Sequence, residues 1–143
     1  MTAAIHVVCP HCSAVNRIAS DRPAEEAVCG SCKSRLFAGQ PIALTAKTFD
    51  KQIERNDVPV VVDFWAPWCG PCRAMAPVFE RAAKELEPHA RFAKVNVDEE
   101  PALASRYGVR GVPTLIVFDH GKVREQRAGL VDMSFLRGLV LAA

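Results

Sequence analysis

Six cysteines form three Cys-x-x-Cys pairs, a spacing typical of metal binding or thiol redox chemistry. They lie at positions 9, 12, 29, 32, 69 and 72. Residues 13–28 separate the first two pairs, and this interval matches the pattern of four-cysteine zinc sites. The third pair, Cys69 and Cys72, lies far downstream. We therefore expect four cysteines to bind a metal and two to carry out redox chemistry.

The segment before Phe37 has few large apolar residues, and a segment this short usually needs a metal or cross-links to fold. Two facing Cys-x-x-Cys turns give a tetrahedral thiolate cage for one structural Zn²⁺. The predicted ligands are Cys9, Cys12, Cys29 and Cys32. Two disulfides are the alternative. We expect Gly30 to relieve the backbone where the second turn is sharp, and His11 to be an exposed side chain rather than a ligand.

Cys69 and Cys72 lie where an apolar strand is expected to end and a helix to begin. In α/β sheets this end of a strand is where chemistry is usually placed. The unpaired N–H groups and the macrodipole of a helix N-terminus favour an anion, here the Cys69 thiolate. Cys69, the more exposed sulfur, is expected to attack a substrate disulfide, and Cys72 to resolve the mixed disulfide. The alternatives, a third metal site or a structural disulfide, are less consistent with the remaining residues.

Asp63 interrupts the apolar run of the strand predicted over residues 60–66. A buried carboxylate is costly unless it is neutral or partnered, and burial raises its pKa. We therefore expect Asp63 to accept a proton from Cys72, directly or through a water, with Lys94 of the neighbouring strand as its partner. The alternative is a solvated aspartate at a sheet edge.

Pro113 stands just before a predicted strand, in Gly111-Val112-Pro113-Thr114. A proline at a strand entry leaves neighbouring backbone groups free, so this edge can accept an extended peptide. An ordinary strand-opening proline fits the sequence equally well.

The apolar pattern predicts a zinc-ribbon-like module over residues 1–38 and an α/β domain over residues 39–143, joined by a hinge at 39–41. Strands are expected at 41–44, 60–66, 91–97, 114–118 and 122–127, and helices at 45–55, 72–87, 99–107 and 132–141. This order gives a mixed central sheet with helices on both faces.

Composition narrows the class of protein. The net charge is +2, half of the residues are apolar and 24% are charged, so nothing in the balance calls for a nucleic-acid or membrane partner. The most apolar internal run, residues 58–66, is far shorter than the roughly 20 residues of a membrane span. The start of the chain does not resemble a signal peptide, and we expect a cytoplasmic protein.

Two stretches resemble known signatures. Residues 60–72 (Val-Val-Val-Asp-Phe-Trp-Ala-Pro-Trp-Cys-Gly-Pro-Cys) resemble the active-site stretch of thioredoxins, and residues 107–115 resemble the second signature of that family. The likeness covers about residues 41–143. With the two cysteine pairs in front, the chain resembles the thioredoxin-2 subgroup of bacterial thioredoxins. The resemblance implies the thioredoxin fold and protein-disulfide reductase activity through a Cys-Gly-Pro-Cys dithiol.

The resemblance also implies roles for individual residues. Pro113 is expected to be a cis-proline packed against Cys69, and Val112 to pair its backbone with bound substrate. The partner surface is expected to include Trp68, Gly70, Pro71, Gly111 and Gly129, with Trp65 and Lys94 in support. Oxidised protein is expected to be recycled by thioredoxin reductase with NADPH, with no cofactor in the redox site itself.

Other functions remain open at this stage. The zinc module is alternatively an adaptor that docks protein or nucleic acid, or a redox-regulated binding unit. The few basic residues and exposed aromatic residues before residue 38 disfavour nucleic acid. A disulfide-forming enzyme of an oxidising compartment is a further alternative. It is disfavoured because no histidine lies between Cys69 and Cys72, where it would stabilise the thiolate.

Overall fold

The N-terminal segment forms a two-stranded antiparallel ribbon. In this computed structural model, which describes residues 4–141, β1 (Ile5–Val8) pairs with β2 (Val15–Ile18). A short 3-10 helix follows at Ala24–Glu26. A small core is buried beneath the ribbon and includes Val7, Cys9, Ile18, Cys29, Leu36 and Phe37.

The rest of the chain builds a five-stranded mixed sheet, as predicted. Its strands are β3 (Ile42–Ala43), β4 (Val60–Trp65), β5 (Arg91–Asn96), β6 (Thr114–Asp119) and β7 (Lys122–Ala128). The spatial order is β3-β5-β4-β6-β7. Strands β3, β5 and β4 are parallel, while β6 and β7 run antiparallel to β4 and to each other.

Helices cover both faces of this sheet, which confirms the predicted architecture. They are α1 (Phe49–Arg55), α2 (Gly70–Leu86), α3 (Pro101–Arg106) and α4 (Met133–Leu141). Alternate residues of a strand point to opposite faces, so β4 contributes to two cores. Val60, Val62 and Phe64 pack with α1 and α3, whereas Val61 packs with α2 and α4.

Three helix starts differ from the sequence-based expectation by two residues or more, and that of α3 is at Pro101 rather than residue 99. Helix α1 begins at Phe49 rather than residue 45, because residues 45–48 form a turn in which the Thr45 N–H donates to Thr48 Oγ1 at 3.0 Å. Helix α2 begins at Gly70 rather than Cys72. Its Pro71 lies in the first turn, where the missing N–H has no intrahelical partner to lose.

The segment predicted to be a hinge is a packed connection. Gly39 has a left-handed φ of 72°, which favours glycine. Its N–H donates to Glu87 Oε1 at 3.0 Å, and the Glu87 side chain is only 2% exposed. Ordered contacts therefore fix the path of the chain between the ribbon and the sheet.

The outer edge of β1 is closed by the α/β domain. The His6 N–H donates to Asp57 Oδ2 at 2.6 Å, and the Asp57 N–H returns a bond to the His6 carbonyl at 2.8 Å. The Val8 N–H donates to Asn56 Oδ1 at 2.8 Å, and Arg91 Nη2 donates to the Val8 carbonyl at 2.8 Å. Asn56 and Asp57 precede β4 and Arg91 opens β5, so the ribbon lies at the starting ends of these parallel strands.

No helix within residues 4–141 combines the length and the apolar character that a membrane crossing requires.

Candidate redox and metal sites

Cys69 is the N-cap of α2, just beyond the end of β4. Its Sγ accepts a hydrogen bond from the Cys72 N–H at 3.1 Å. Cys69 and Cys72 are joined by a disulfide with their Cα atoms 5.2 Å apart. The two residues are 4% and 2% exposed and share an apolar cluster with Ala66.

The segment before β6 lies directly against this disulfide. The Val112–Pro113 peptide bond is cis, and the Val112 carbonyl oxygen is 3.6 Å from Cys69 Sγ. The Pro113 carbonyl accepts the Gly129 N–H at 2.8 Å. Within residues 4–141 the Val112 N–H has no hydrogen-bond partner, so it is free to bind another chain.

A shallow cleft adjoins the dithiol. It has a volume of about 120 Å³ and is lined by Trp68, Val97, Val109, Arg110, Gly111 and Val112. Trp68 is 67% exposed, and its Nε1 donates to Asp98 Oδ1 at 3.3 Å. Gly70 and Pro71 are exposed in the first turn of α2. Trp68, Gly111 and Val112 of the predicted surface thus line one cleft next to Cys69, and Gly129 contacts Pro113.

Asp63 is buried rather than solvated at a sheet edge. It is 1% exposed, and it shares the α2 face of β4 with Val61 because their positions differ by two. Burial raises the pKa of Asp63 to about 6, and the positive charge of Lys94 partly opposes that rise. Among the described residues, Asp63 Oδ1 has no hydrogen-bond partner. A carboxyl group in this state can exchange a proton near neutral pH.

Lys94 is beside Asp63 but does not form a close ion pair with it. The two residues are directly paired between β4 and β5. Lys94 Nζ lies 4.5 Å from the centre of the Trp65 ring, which is the geometry of a cation–π contact. Lys94 therefore acts on the Asp63 carboxyl group as a neighbouring charge.

The four N-terminal cysteines converge on one point. Their Sγ atoms all lie within 4.8 Å of one another, with 3.5 Å between Cys9 and Cys32 and 3.6 Å between Cys12 and Cys29. Four sulfurs at ~2.3 Å from a tetrahedral Zn²⁺ would be about 3.8 Å apart. The cage therefore fits one zinc ion, and the four residues form no disulfides with each other.

Backbone N–H groups surround the sulfurs of this cage. The His11 N–H donates to Cys9 Sγ at 3.3 Å, and the Ser31 N–H donates to Cys29 Sγ at 3.4 Å. Such bonds favour the thiolate form that metals require. The His11 side chain is exposed.

The expectation for Gly30 was wrong. In the two cysteine turns the residues with a left-handed backbone are Ser13 (φ 64°) and Lys33 (φ 68°). Each directly follows the second cysteine of its pair. Gly30 has no positive φ and instead donates its N–H to Asn16 Oδ1 at 2.9 Å. Serine and lysine rarely adopt this conformation, so the sequence carried no signal for it.

Three polar residues behind Cys9 were not predicted. Gln52 Nε2 donates to the Cys9 carbonyl at 3.3 Å, next to the bonds of Asn56 and Arg91 to Val8. Arg91 is 1% exposed, lies 3.8 Å from the Glu87 carboxylate and stacks on Phe37. Burial lowers the pKa of Arg91, and the charge of Glu87 opposes this effect. The sequence signal that could have identified Arg91 is an arginine at the start of an apolar strand.

Comparisons with known proteins agree with this geometry. The family model described as Thioredoxin matches residues 40–140, and the one described as Thioredoxin 2, N-terminal matches residues 8–34. Thioredoxin C-3 from Corynebacterium nephridii is 39% identical over 113 residues, which cover 79% of this chain and 77% of that protein.

Further relatives match about two thirds of the chain. Thioredoxin 1 from Nostoc sp. is 46% identical over 93 residues, covering 65% of this chain and 87% of its own length. The solved structure of a mutant thioredoxin from Halobacterium salinarum NRC-1 matches with a TM-score of 0.65 and 43% identity, covering 71% of this chain and 88% of that one. With the cysteine pair at the start of α2, these matches show that the chain belongs to the thioredoxin family and is a thiol–disulfide reductase with an N-terminal zinc-binding module.

Proposed function

We propose that this reductase uses Cys69 as its attacking sulfur and Cys72 as its resolving sulfur. The observation that carries the proposal is the position of Cys69 Sγ at the N-terminus of α2, bonded to the Cys72 N–H. That position favours a thiolate. Cys69 also borders the exposed Trp68 surface, so it is the sulfur that a client protein reaches first.

The reaction balances in two exchanges. The Cys69 thiolate attacks one sulfur of the client disulfide, which forms a mixed disulfide and releases the other client sulfur as a thiolate. The Cys72 thiol then loses its proton and attacks Cys69 Sγ. This restores the Cys69–Cys72 disulfide and releases the second client thiolate. The client gains two electrons and the dithiol loses two.

Asp63 is the proposed acceptor of the Cys72 proton. Its carboxyl group is buried on the face of β4 that α2 covers, and its raised pKa leaves it able to exchange a proton near neutral pH. Transfer passes directly or through one water. Lys94 and Trp65 support this carboxyl group by charge and by packing.

The client chain is proposed to lie in an extended form beside Pro113. The free N–H of Val112 would pair with client backbone, as in strand addition. The flat surface formed by Trp68, Gly70, Pro71, Gly111 and Gly129 would receive the neighbouring client residues. Gly70, Gly111 and Gly129 carry no side chain, which lets the client backbone approach the sulfur closely.

The remaining parts of the proposal concern zinc, recycling and location. Residues 1–38 would form a structural zinc module with one ion held by all four thiolates, a ligand set that leaves no open position for substrate. Residues 39–143 would form the redox domain, which needs no cofactor of its own. An NADPH-dependent thioredoxin reductase would return electrons to it. Thiolate ligands stay reduced in the cytoplasm, which supports a cytoplasmic location.

The roles can be tested with a protein disulfide as substrate, NADPH and thioredoxin reductase. We expect Cys69→Ser to reduce turnover to the background rate. We expect Cys72→Ser to accumulate a mixed disulfide that mass spectrometry detects. Ser105→Ala, an exposed change on α3, is the control and should match wild type. Turnover by Cys69→Ser at the wild-type rate would contradict the assignment.

A further inference from the structure

The two strands of the zinc module differ in how their edges are used. The Cys9 N–H bonds to the Ala14 carbonyl at 2.9 Å, so in this antiparallel pair Val15 and Arg17 direct their N–H and C=O groups away from β1. The equivalent outward groups of β1, on His6 and Val8, are all bonded to the α/β domain. Within residues 4–141 the outward groups of Val15 and Arg17 have no partner.

A groove of about 460 Å³ runs along this open edge, which we call the β2 groove. Its lining residues are Asn16, Arg17, Ile18, Ala19, Arg22, Pro23, Glu26, Ala27, Val28 and Leu36. Ile18 and Leu36 are 5% and 1% exposed and give it an apolar lining, while Val28 is 52% exposed at its margin. An unpaired strand edge beside a groove with both apolar and polar lining residues is an arrangement that can receive an added strand.

Charge indicates which strand the β2 groove would accept. Arg17 and Arg22 line it, opposed by Glu26 alone. Among the described residues neither arginine has an ion-pair partner within 4.0 Å. The residues that line the groove therefore carry a net positive charge, which favours a segment that carries carboxylates.

We propose that the β2 groove binds an extended, acidic segment of a partner protein by strand addition to β2. Backbone bonds to Val15 and Arg17 would hold the segment, and Arg17 and Arg22 would pair with its carboxylates. This function goes beyond disulfide reduction. The module packs at the starting ends of β4 and β5, whereas Cys69 follows the far end of β4, so a partner held in the groove would leave the dithiol free.

Defined peptides test the proposal on the complete zinc-loaded chain, labelled with ¹⁵N. The first probe is a blocked octapeptide of alternating valine and glutamate. The second replaces glutamate with lysine, and the third carries N-methyl groups on alternate residues. We expect the glutamate peptide to shift the Val15 and Arg17 amide signals saturably and to slow their hydrogen exchange. The lysine peptide should bind about three- to tenfold more weakly, and the N-methylated peptide should not bind.

Charge reversal gives the matching test on the protein. The double variant Arg17→Glu/Arg22→Glu should prefer the lysine peptide. Lys47→Glu/Lys51→Glu, an equal charge change on exposed residues next to and within α1, should behave as wild type. Reduction of a small aromatic disulfide should be unchanged in both variants. Loss of that activity would indicate a change in the redox site and would not report on binding in the β2 groove.

Four results would overturn the proposal. The first is no saturable shift at Val15 and Arg17 with the glutamate peptide at millimolar concentration. The second is equal binding of the glutamate and lysine peptides. The third is a concentration-dependent shift of the same amides without peptide, which would make a second copy of this chain the occupant. The fourth is displacement of the glutamate peptide by a single-stranded oligonucleotide, which would make nucleic acid the occupant.

Discussion

Asp63 is the residue whose chemistry depends most on burial. We expect Asp63→Asn to slow resolution of the mixed disulfide near pH 7, because the amide cannot accept the Cys72 proton. A decrease of about 10²-fold is the scale of a lost general base. Stopped-flow measurement of client release from the mixed disulfide tests this. A rate equal to wild type across pH 6–8 would remove Asp63 from the mechanism.

The same residue should affect stability in the opposite direction. Its pKa is about 6 in the folded protein against 3.8 as the reference value, so between these values the folded state binds more protons than the unfolded state. The contribution of Asp63 to the free energy of unfolding should therefore fall as pH rises from about 4 to 6 and then level off. At pH 7.5 we expect Asp63→Asn to be more stable by about 1–3 kcal/mol.

Urea titrations of both proteins between pH 4 and 8 check this difference. Burial also raises the pKa of Glu87, but that titration is common to both proteins and cancels in the comparison. A constant difference between them at every pH would contradict the assignment.

At the residue scale the sequence was most informative where a residue type contradicted its surroundings. Asp63 in an apolar strand and cysteines at a strand-to-helix junction could both be identified, since burial and helix termini have known effects on ionisation. Ser13 and Lys33 could not. Their left-handed backbone follows from closing a turn around two sulfurs, and neither side chain reports it.

At the scale of elements, the closed edge of β1 joins the zinc module to the redox domain. Removing the Arg91 side chain would leave the Val8 carbonyl without its donor and Glu87 without its cation. Removing one partner of a buried ion pair leaves the other charge uncompensated, which costs about 3–5 kcal/mol. We expect Arg91→Met to lower the free energy of unfolding by that order, as measured with urea at pH 7.

Arg91→Met should also weaken zinc binding, because the docked edge holds the strand that presents Cys9. Binding and docking are linked reciprocally, and we expect a several-fold rise in the zinc dissociation constant in a competitive chelator titration. Lys51→Met, an exposed change on α1, is the matched control. An unchanged dissociation constant in Arg91→Met would show that the two sites are energetically independent.

The strands and helices of the five-stranded sheet domain and their order were predictable, because the apolar periodicity of each segment agrees with the role that it plays in the sheet. Strands β1 and β2 of the zinc module were not predicted individually. The docking of the module was not predictable. The partners of β1 are Asn56 and Asp57 before β4 and Arg91 of β5, and Gln52 bonds to the adjoining Cys9 carbonyl. Arg91 is distant in the sequence from the other three polar residues. Only the folded sheet brings them to one edge, so the segment after Phe37 looked like a free hinge.

At the scale of the whole molecule, zinc removal should separate stability from chemistry. The six residues of β4 span about 20 Å at ~3.3 Å per residue, and this strand lies between the two cysteine sites. Chelation should melt the small N-terminal core and lower the melting temperature. The rate at which the reduced dithiol cleaves a small aromatic disulfide should change by less than about twofold. A rate that decreases in proportion to the zinc removed would contradict the expectation that the zinc site affects stability and not the dithiol reaction.

The placement of the ribbon at the starting ends of β4 and β5 has a consequence for how six thiols coexist in one chain. Each catalytic cycle passes through a mixed disulfide, and any further thiolate within its reach would compete with Cys72 for it. Because the sheet keeps the metal-binding cysteines at its other end, the redox pair can be oxidised and reduced repeatedly without forming disulfides with them. The central strand thus separates the four-cysteine metal site, whose sulfurs stay fixed, from the redox pair, whose sulfurs exchange partners in every cycle.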